Sequence, residues 1–581
     1  MLLLQVLQAQ GLRRLVLCPG SRSAPLAVAA GLLAATGLEL LTAVDERSAA
    51  FLAVGLGRAD GRPAALVTTS GTAVANLLPA VVEADHGAVP LLLLTADRPA
   101  RLKGCGANQT VNQEAFLVAS CRCLLEGDPA GLAAMAPERI AALAEQAWRA
   151  CLGAPVGPVH LNLPIEEPLH AEAAAIEAVL AAPLPLPLAA VEAQPHSGSA
   201  LADSAPVLDP DQPGAVVVGP WRGTAAALAD FAEALVLWQR RSGWPVLADG
   251  LSGLRGWPGL ELVHAYDLLL VEGHRLPPAP QLLRLGSMPA SRRLQQWISA
   301  SPGPQLLLSE GDPRNLDATA TASCRSSIGL RAWLSRQPQA EQMAPAPAVN
   351  RAWAAAWLQA DQQAQQLLDQ QLRGSLSEPA LVRALSRLLP PGLPVMLASS
   401  SPVRDWESFA AADAPQRPLF GFRGASGIDG TLSLAAGLAC SHGALVLLTG
   451  DLALLHDANG WLWRSQLAAR GAQLTVVLVD NGGGGIFEQL PIRAGEQLDF
   501  ERLFAMPQAI DHQQLAAGYG VPGRRLSSPD DLPEALAWAR QQPLALLELR
   551  TDRRADAALR HGLRRRMAPL SNGPDAAPSI A

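Results

Sequence analysis

The sequence predicts an α/β protein of three doubly wound parallel-sheet domains, and three observations predict it. Short apolar runs alternate with helical patterns along most of the 581 residues, which is the pattern of βαβ units. Two stretches, 182–213 and 336–350, break that alternation with Pro, Ala and Gln and read as linkers. At about 100–200 residues per domain the length holds three or four domains, and 49% apolar against 17% charged residues fills their cores. The expected domains are 1–184, 185–345 and 346–581.

In the first domain strands are expected at 14–18, 38–44, 64–69, 89–96 and 159–163, each a short apolar run bounded by turn formers. Helices are expected at 46–58, where Asp45 can cap the first turn, and at 72–85 after Ser70–Gly71. The second domain repeats the alternation more weakly, with strands at 215–218, 245–248, 267–271, 282–285 and 305–309. A Gln-rich helix over about 351–373 leads into the third domain, whose strands are expected at 395–399, 444–449, 474–479 and 544–549. The basic run Arg564–Arg566 reads as a solvated helix end, and the tail after about 567 as disordered.

Composition excludes several function classes. A thinly spread net charge of −7 gives no footprint for nucleic acid. Lys103 is the only lysine and is followed by Gly104, so there is no Walker A loop, and Schiff-base chemistry has one candidate at most. The histidines are too widely spaced for an HExxH zinc helix. Seven cysteines without a CxxC argue against a disulfide framework or a zinc ribbon, and fit a reducing cytoplasm. The N-terminal residues lack the basic region and cleavage site of a signal peptide, and runs such as 89–95 are too short to cross a bilayer.

Ligands of parallel sheets bind beyond the carboxyl ends of the strands, and here those loops are rich in Gly, Ser, Arg, Asp and Asn. Gly450–Asp451 follows one apolar strand and Asp480–Asn481 another, about thirty residues on. An Asp carboxylate, an Asn amide oxygen and a carbonyl from the glycine run 482–485 are hard oxygen ligands, suited to Mg²⁺ held against a diphosphate. Either sequence alone reads as an ordinary turn; together, in this setting, they favour the metal–diphosphate reading.

That spacing resembles the diphosphate–Mg²⁺ motif of thiamine diphosphate enzymes. The matching ligands are Asp451, Asn481 and the carbonyl of Gly483, and Mn²⁺ suits the same oxygens. Leu452 stands where the family usually has Gly, and Asp480 where it often has Asn. The resemblance implies a thiamine diphosphate-binding fold and demands a carboxylate from the first domain against the aminopyrimidine. Glu46, at a strand-to-helix junction, meets that demand, although alone it would read as a first-turn charge stabilising the helix dipole.

The loops CPGSRSAPL (18–26), LTADRPARLKGCGANQTVNQ (94–113), SSSPVRDW (399–406), FRGASGIDG (422–430) and DNGGGGIFEQLP (480–491) are similar to one branch, the 2-succinyl-5-enolpyruvyl-6-hydroxy-3-cyclohexene-1-carboxylate synthases of menaquinone or phylloquinone biosynthesis. The likeness covers nearly the whole chain and is thin in the middle domain. It implies decarboxylation of 2-oxoglutarate and conjugate addition of the four-carbon carbanion to isochorismate. Each substrate carries two carboxylates, which the planar fork of Arg matches.

By the same resemblance Ser21, Arg22, Arg98, Asn108, Gln109, Arg292, Ser400, Arg404 and Arg423 bind substrates, with Arg404 and Arg423 also counted as catalytic beside Glu46. Arg292 stands where relatives often carry Lys. A lone Arg beside Asp, as at Asp97–Arg98, otherwise reads as a surface ion pair. The cofactor set is Glu46, Gly71, Thr72, Ser426, Ile428, Gly450, Asp451, Asn481, Gly484, Ile486, Phe487 and Leu490. Ile428 would wedge beneath the cofactor, and Phe487 and Leu490 would wall out water or simply pack the core. Gly71–Thr72 could equally be a tight turn. Lys103 and Cys105 have no role legible in the sequence.

The resemblance also implies a cytoplasmic homodimer or homotetramer with active sites between chains, no nucleic acid and no membrane insertion. The alternative is another thiamine diphosphate carboligase or decarboxylase of the acetolactate-synthase type, which also binds FAD. A scaffold that has lost its chemistry is the non-enzymatic alternative, opposed by the intact Glu46, Asp451 and Asn481.

Overall fold

The computed structural model describes residues 1–171, 173–181, 208–271, 276, 278–337, 346–495 and 498–570. These gather into two compact units. The expected boundary at 184/185, residue 345, most of both linkers and the tail 571–581 lie outside the described residues.

The first unit combines the described part of Met1–His196 with Phe422–Gly443 and His456–Gln473. Its sheet contains β1 (Arg14–Leu17), β2 (Glu39–Thr42), β3 (Ala64–Thr68), β4 (Leu91–Asp97), β5 (Leu124–Glu126) and β6 (Pro158–Pro164). The order is β2-β1-β3-β4-β6-β5, with every neighbouring pair parallel. Every residue of β3, β4 and β6 is buried, which is why these strands appear as unbroken apolar runs: helices cover both faces.

Asp45 caps the helix Glu46–Asp60 by accepting from the backbone N–H groups of Arg47 and Ser48. The helix expected over 72–85 is broken into Thr72–Ala75 and Leu78–Gly87. Pro79 explains the break, since it has no N–H to continue the ladder and sits naturally in the first turn of a new helix.

The second unit holds two sheets. One contains β7 (Ala215–Val218), β8 (Val246–Ala248), β9 (Leu282–Leu285), β10 (Gln305–Leu308) and β11 (Cys324–Ser326) in the parallel order β11-β10-β9-β7-β8. The other contains β12 (Val395–Leu397), β13 (Leu419–Gly421), β14 (Ala444–Gly450), β15 (Gln473–Asp480), β16 (Gly523–Leu526) and β17 (Leu544–Arg550), ordered β13-β12-β14-β15-β17-β16. Here β12 runs parallel to β13 and β14, and β17 parallel to β15 and β16.

Two expectations are corrected. Residues 267–271 are not a strand: the helix Tyr266–Leu269 occupies that place. All four of its residues are buried, and a short all-apolar run carries no period that separates helix from strand. The second linker also ends early, because the helix Ala348–Leu372 starts inside it. The strands β5, β11, β13 and β16 were not anticipated. Each lies at a sheet edge and is partly exposed, so no apolar run marks it. Among the described residues no helix is long and apolar enough to cross a membrane.

Candidate active site

In the first unit the strand order reverses between β1 and β3, so the crevice for a ligand opens beyond their carboxyl ends. Arg22 leaves β1 there and donates to the Ile165 carbonyl at 3.0 Å and to Glu167 at 3.2 Å. Arg98, just past β4, donates to the Gln109 carbonyl at 3.0 Å and to the Ser70 hydroxyl. Burial and the neighbouring Arg22 charge lower the Arg98 guanidinium below its ordinary value, against the opposing pull of Asp97. The Arg22 charge disfavours that of Arg98, a repulsion that a bound anion would relieve.

Gln109, at φ +57°, returns an amide N–H to the Ser70 carbonyl at 2.9 Å. A Cβ on Gly71, at φ +85°, would lie 2.9 Å from Gln109 Cγ, so that turn requires glycine. Thr72 opens its helix, and Ser21 and Asn108 lie exposed in their loops. Lys103 acquires a role here: it pairs with the buried Asp97 at 2.7 Å and with Glu114.

Glu46 is half-buried at the end of β2, and its carboxylate makes no hydrogen bond or ion pair among the described residues. Asp45, not Glu46, does the capping. The thiol of Cys18, which follows β1, is raised by burial and then by the Glu46 and Asp45 carboxylates.

The loop 423–428 belongs to this unit and is organised by an acid the sequence did not advertise. Glu83 accepts from the backbone N–H groups of Gly424 at 2.8 Å, Ala425 at 2.7 Å and Ser426 at 3.1 Å. Ser426 is thereby held at φ +61°, between Arg423 and Ile428.

In the second unit the sheet reverses between β12 and β14. Ser400 follows β12 at φ +75°, and its carbonyl accepts from Arg404 at 2.7 Å. Asp451 follows β14, with its oxygens accepting from Leu452 N at 2.8 Å and Gly483 N at 2.7 Å. Burial, reinforced by the Asp480 carboxylate, pushes Asp451 up to about 6. Asn481 follows β15; its Nδ2 donates to Glu378 at 2.7 Å, and its buried Oδ1 has no partner among the described residues.

Gly483, at φ +117°, has room for no side chain, because a Cβ would collide with the Ala505 carbonyl. Gly484 donates to that carbonyl at 2.6 Å. No cluster of three His, Cys, Asp or Glu that could hold a metal exists among the described residues. The Asp451 carboxylate is tied to the Gly483 N–H, and the unsatisfied Asn481 Oδ1 is a hard oxygen of the kind that fits a divalent cation.

A cavity of about 640 Å³ in the second unit brings Arg292, Arg404, Ile486 and Leu490 together. Phe487 does not line it and stacks edge-on to Phe504 at 5.5 Å instead. Sequence reasoning missed Arg564 on the same wall. It is half-buried rather than solvated, donates to the neutral Gln489 amide at 2.9 Å, and is lowered by burial and the adjacent Arg293. The i, i+4 spacing of Asp556, Arg560 and Arg564 was the available signal for one inward face.

Residues 1–116 match the thiamine pyrophosphate enzyme N-terminal TPP binding domain, 212–394 the model described as the middle domain of thiamine pyrophosphate, and 406–548 the C-terminal TPP binding domain. A protein from Synechococcus sp. (strain RCC307) named 2-succinyl-5-enolpyruvyl-6-hydroxy-3-cyclohexene-1-carboxylate synthase is 56% identical, over 97% of this chain and 96% of its own length. The chain belongs to this family of thiamine diphosphate enzymes. Synthases of the same name from Parasynechococcus marenigrum (strain WH8102) and Prochlorococcus marinus (strain MIT 9313) are 54% and 49% identical, each over 95% of this chain and respectively 98% and 97% of their own length. The crystal structure of benzoylformate decarboxylase from Polynucleobacter necessarius shares the fold at a TM-score of 0.66 and 14% identity, covering 95% of this chain and 98% of that one. The three-sheet α/β architecture is therefore that of thiamine diphosphate enzymes, and thiamine diphosphate is the cofactor of the synthase family.

Proposed function

We propose that this chain converts 2-oxoglutarate and isochorismate into 2-succinyl-5-enolpyruvyl-6-hydroxy-3-cyclohexene-1-carboxylate and CO₂, on the way to menaquinone or phylloquinone. The observation that carries the reading is the arginine-walled cavity of Arg292, Arg404 and Arg564, in a chain 56% identical to a synthase of that name. A small neutral acceptor would have no use for that charge, which weighs against the acetolactate-synthase type.

Thiamine diphosphate, when bound, supplies the carbon nucleophile, so the protein needs none of its own. Glu46 holds the proton exchanged with the aminopyrimidine. Asp451, Asn481 and the Gly483 carbonyl hold Mg²⁺ or Mn²⁺ against the diphosphate. Gly71, Thr72, Ser426, Gly450 and Gly484 provide close backbone approach, and Ile428, Ile486 and Leu490 exclude water. Arg22, Arg98, Arg292, Arg404 and Arg423 neutralise and orient carboxylates, with Ser21, Asn108, Gln109 and Ser400 completing the hydrogen bonds.

The reading includes domains 1–184, 185–345 and 346–581, a cytoplasmic location, and a homodimer or homotetramer in which a second copy completes each active site. Thiamine diphosphate with Mg²⁺ at about 100 times its Kd should stabilise the protein by about 2.7 kcal/mol in a thermal melt. A melt unmoved by saturating cofactor and metal contradicts the reading.

A further inference from the structure

An Asn side chain is nearly the same shape whichever way its amide points, so something must decide which end faces a metal. In this chain Glu378 decides it. Glu378 is buried in the first turn of the helix Glu378–Leu388, and its Oε1 accepts from Asn481 Nδ2 at 2.7 Å. A carboxylate can only accept, so the reversed amide would set oxygen against oxygen. Oδ1 is thus forced to the opposite side, where it is buried and without a partner among the described residues.

Glu378 is itself held in place. Its Oε2 accepts from Arg560 Nη2 at 2.6 Å, and Arg560 grips Asp405 at 2.9 and 2.5 Å. Its backbone N–H donates to Asp556 at 3.3 Å. Arg560 and Asp405 also line the cavity that contains Arg404, so one continuous set of buried charges joins the cavity wall to Asn481.

We propose that Glu378 is a positioning residue that aims the Asn481 oxygen at the divalent cation. This inference rests on the proposed metal site at Asp451 and Asn481. It makes a prediction that a packing role would not. In Glu378→Gln the shape is kept, but the single amide oxygen turns to Arg560. The new NH₂ then faces Asn481, which must flip and present NH₂ to the metal. In the double variant with Asn481→Asp, a carboxylate accepts from that NH₂ and again presents oxygen.

The test is Mn²⁺ binding, followed by electron paramagnetic resonance on full-length protein with saturating thiamine diphosphate. Glu378→Gln should weaken Mn²⁺ binding by about tenfold or more, with an unchanged melting temperature in the absence of metal. The double variant should recover to within about threefold of wild type. Asn481→Asp alone, with two carboxylates face to face, should bind worse than the double variant. Wild-type binding together with an unaffected Glu378→Gln overturns this inference alone, as does a double variant no better than either single one. A wild type that binds no Mn²⁺ overturns the metal site and this inference together.

Discussion

Gly55 and Gly437 cross backbone to backbone. A methyl group on Gly55 would collide with the Leu434 carbonyl and lie 3.0 Å from Gly437 Cα, and one on Gly437 would collide with the Leu52 carbonyl and lie 3.0 Å from Gly55 Cα. The crossing joins the helix Glu46–Asp60 to the helix Thr431–His442, so the helix that presents Glu46 is set by two missing side chains. Gly55→Ala should destabilise the protein by about 1–3 kcal/mol, as overpacking a close contact does. Urea unfolding that matches wild type would contradict the close approach.

Among the described residues the half-buried Glu46 carboxylate has no hydrogen-bond or ion-pair partner, and its neighbour already caps the helix. Glu46→Gln should therefore keep cofactor binding in a thermal melt and lower kcat by about 10²–10⁴, the range for general acid–base groups. Mixed with inactive Asp451→Ala under subunit exchange, it should regain activity, because one site of each mixed dimer has both residues intact. No recovery would argue against sites shared between chains.

Arg404 is anchored by its own Ser400 carbonyl and faces the cavity. Lys cannot reproduce a bidentate fork. Arg404→Lys should lower kcat/KM for the oxo acid by about 10–100-fold, the worth of one charge-assisted hydrogen bond of about 1.5–3 kcal/mol. A loss confined to the melting temperature would assign it a structural role instead.

Asp457 is fully buried, accepting from Ser433 N at 2.7 Å and Ser48 Oγ at 3.2 Å, and burial pushes it up to about 6. Its folded-state value lies above the unfolded one, so the native state binds the proton more tightly. Its contribution is full below pH about 4 and is lost as pH rises to about 6, for a total of about 3 kcal/mol. In Asp457→Asn the amide oxygen accepts from Ser433 N and the NH₂ donates to the Ser48 hydroxyl, and the substitution should remove that slope. Wild-type and variant melts that change in parallel between pH 4 and pH 7 would contradict the assignment.

Much of this was legible because parallel sheets concentrate chemistry at strand ends. Asp45 as cap, Asp451 after β14 and Asn481 after β15 are local facts, readable from a strand and the residues that follow it. The partners that aim them are not. Glu83 and Gly424 are 341 residues apart, and Glu378 and Asn481 are 103 apart. No periodicity links such pairs; only the folded chain brings them together. Arg564 was misread for a related reason: in a run of three arginines, charge suggested solvent while helical phase turned one of them inward.

The central claim is the reaction itself. The direct measurement is consumption of isochorismate and release of CO₂ by purified protein with thiamine diphosphate and Mg²⁺, using 2-oxoglutarate or pyruvate as donor. Stoichiometric turnover with 2-oxoglutarate and none with pyruvate is the predicted result. Turnover with pyruvate in its place, or CO₂ release that leaves isochorismate untouched, would contradict it.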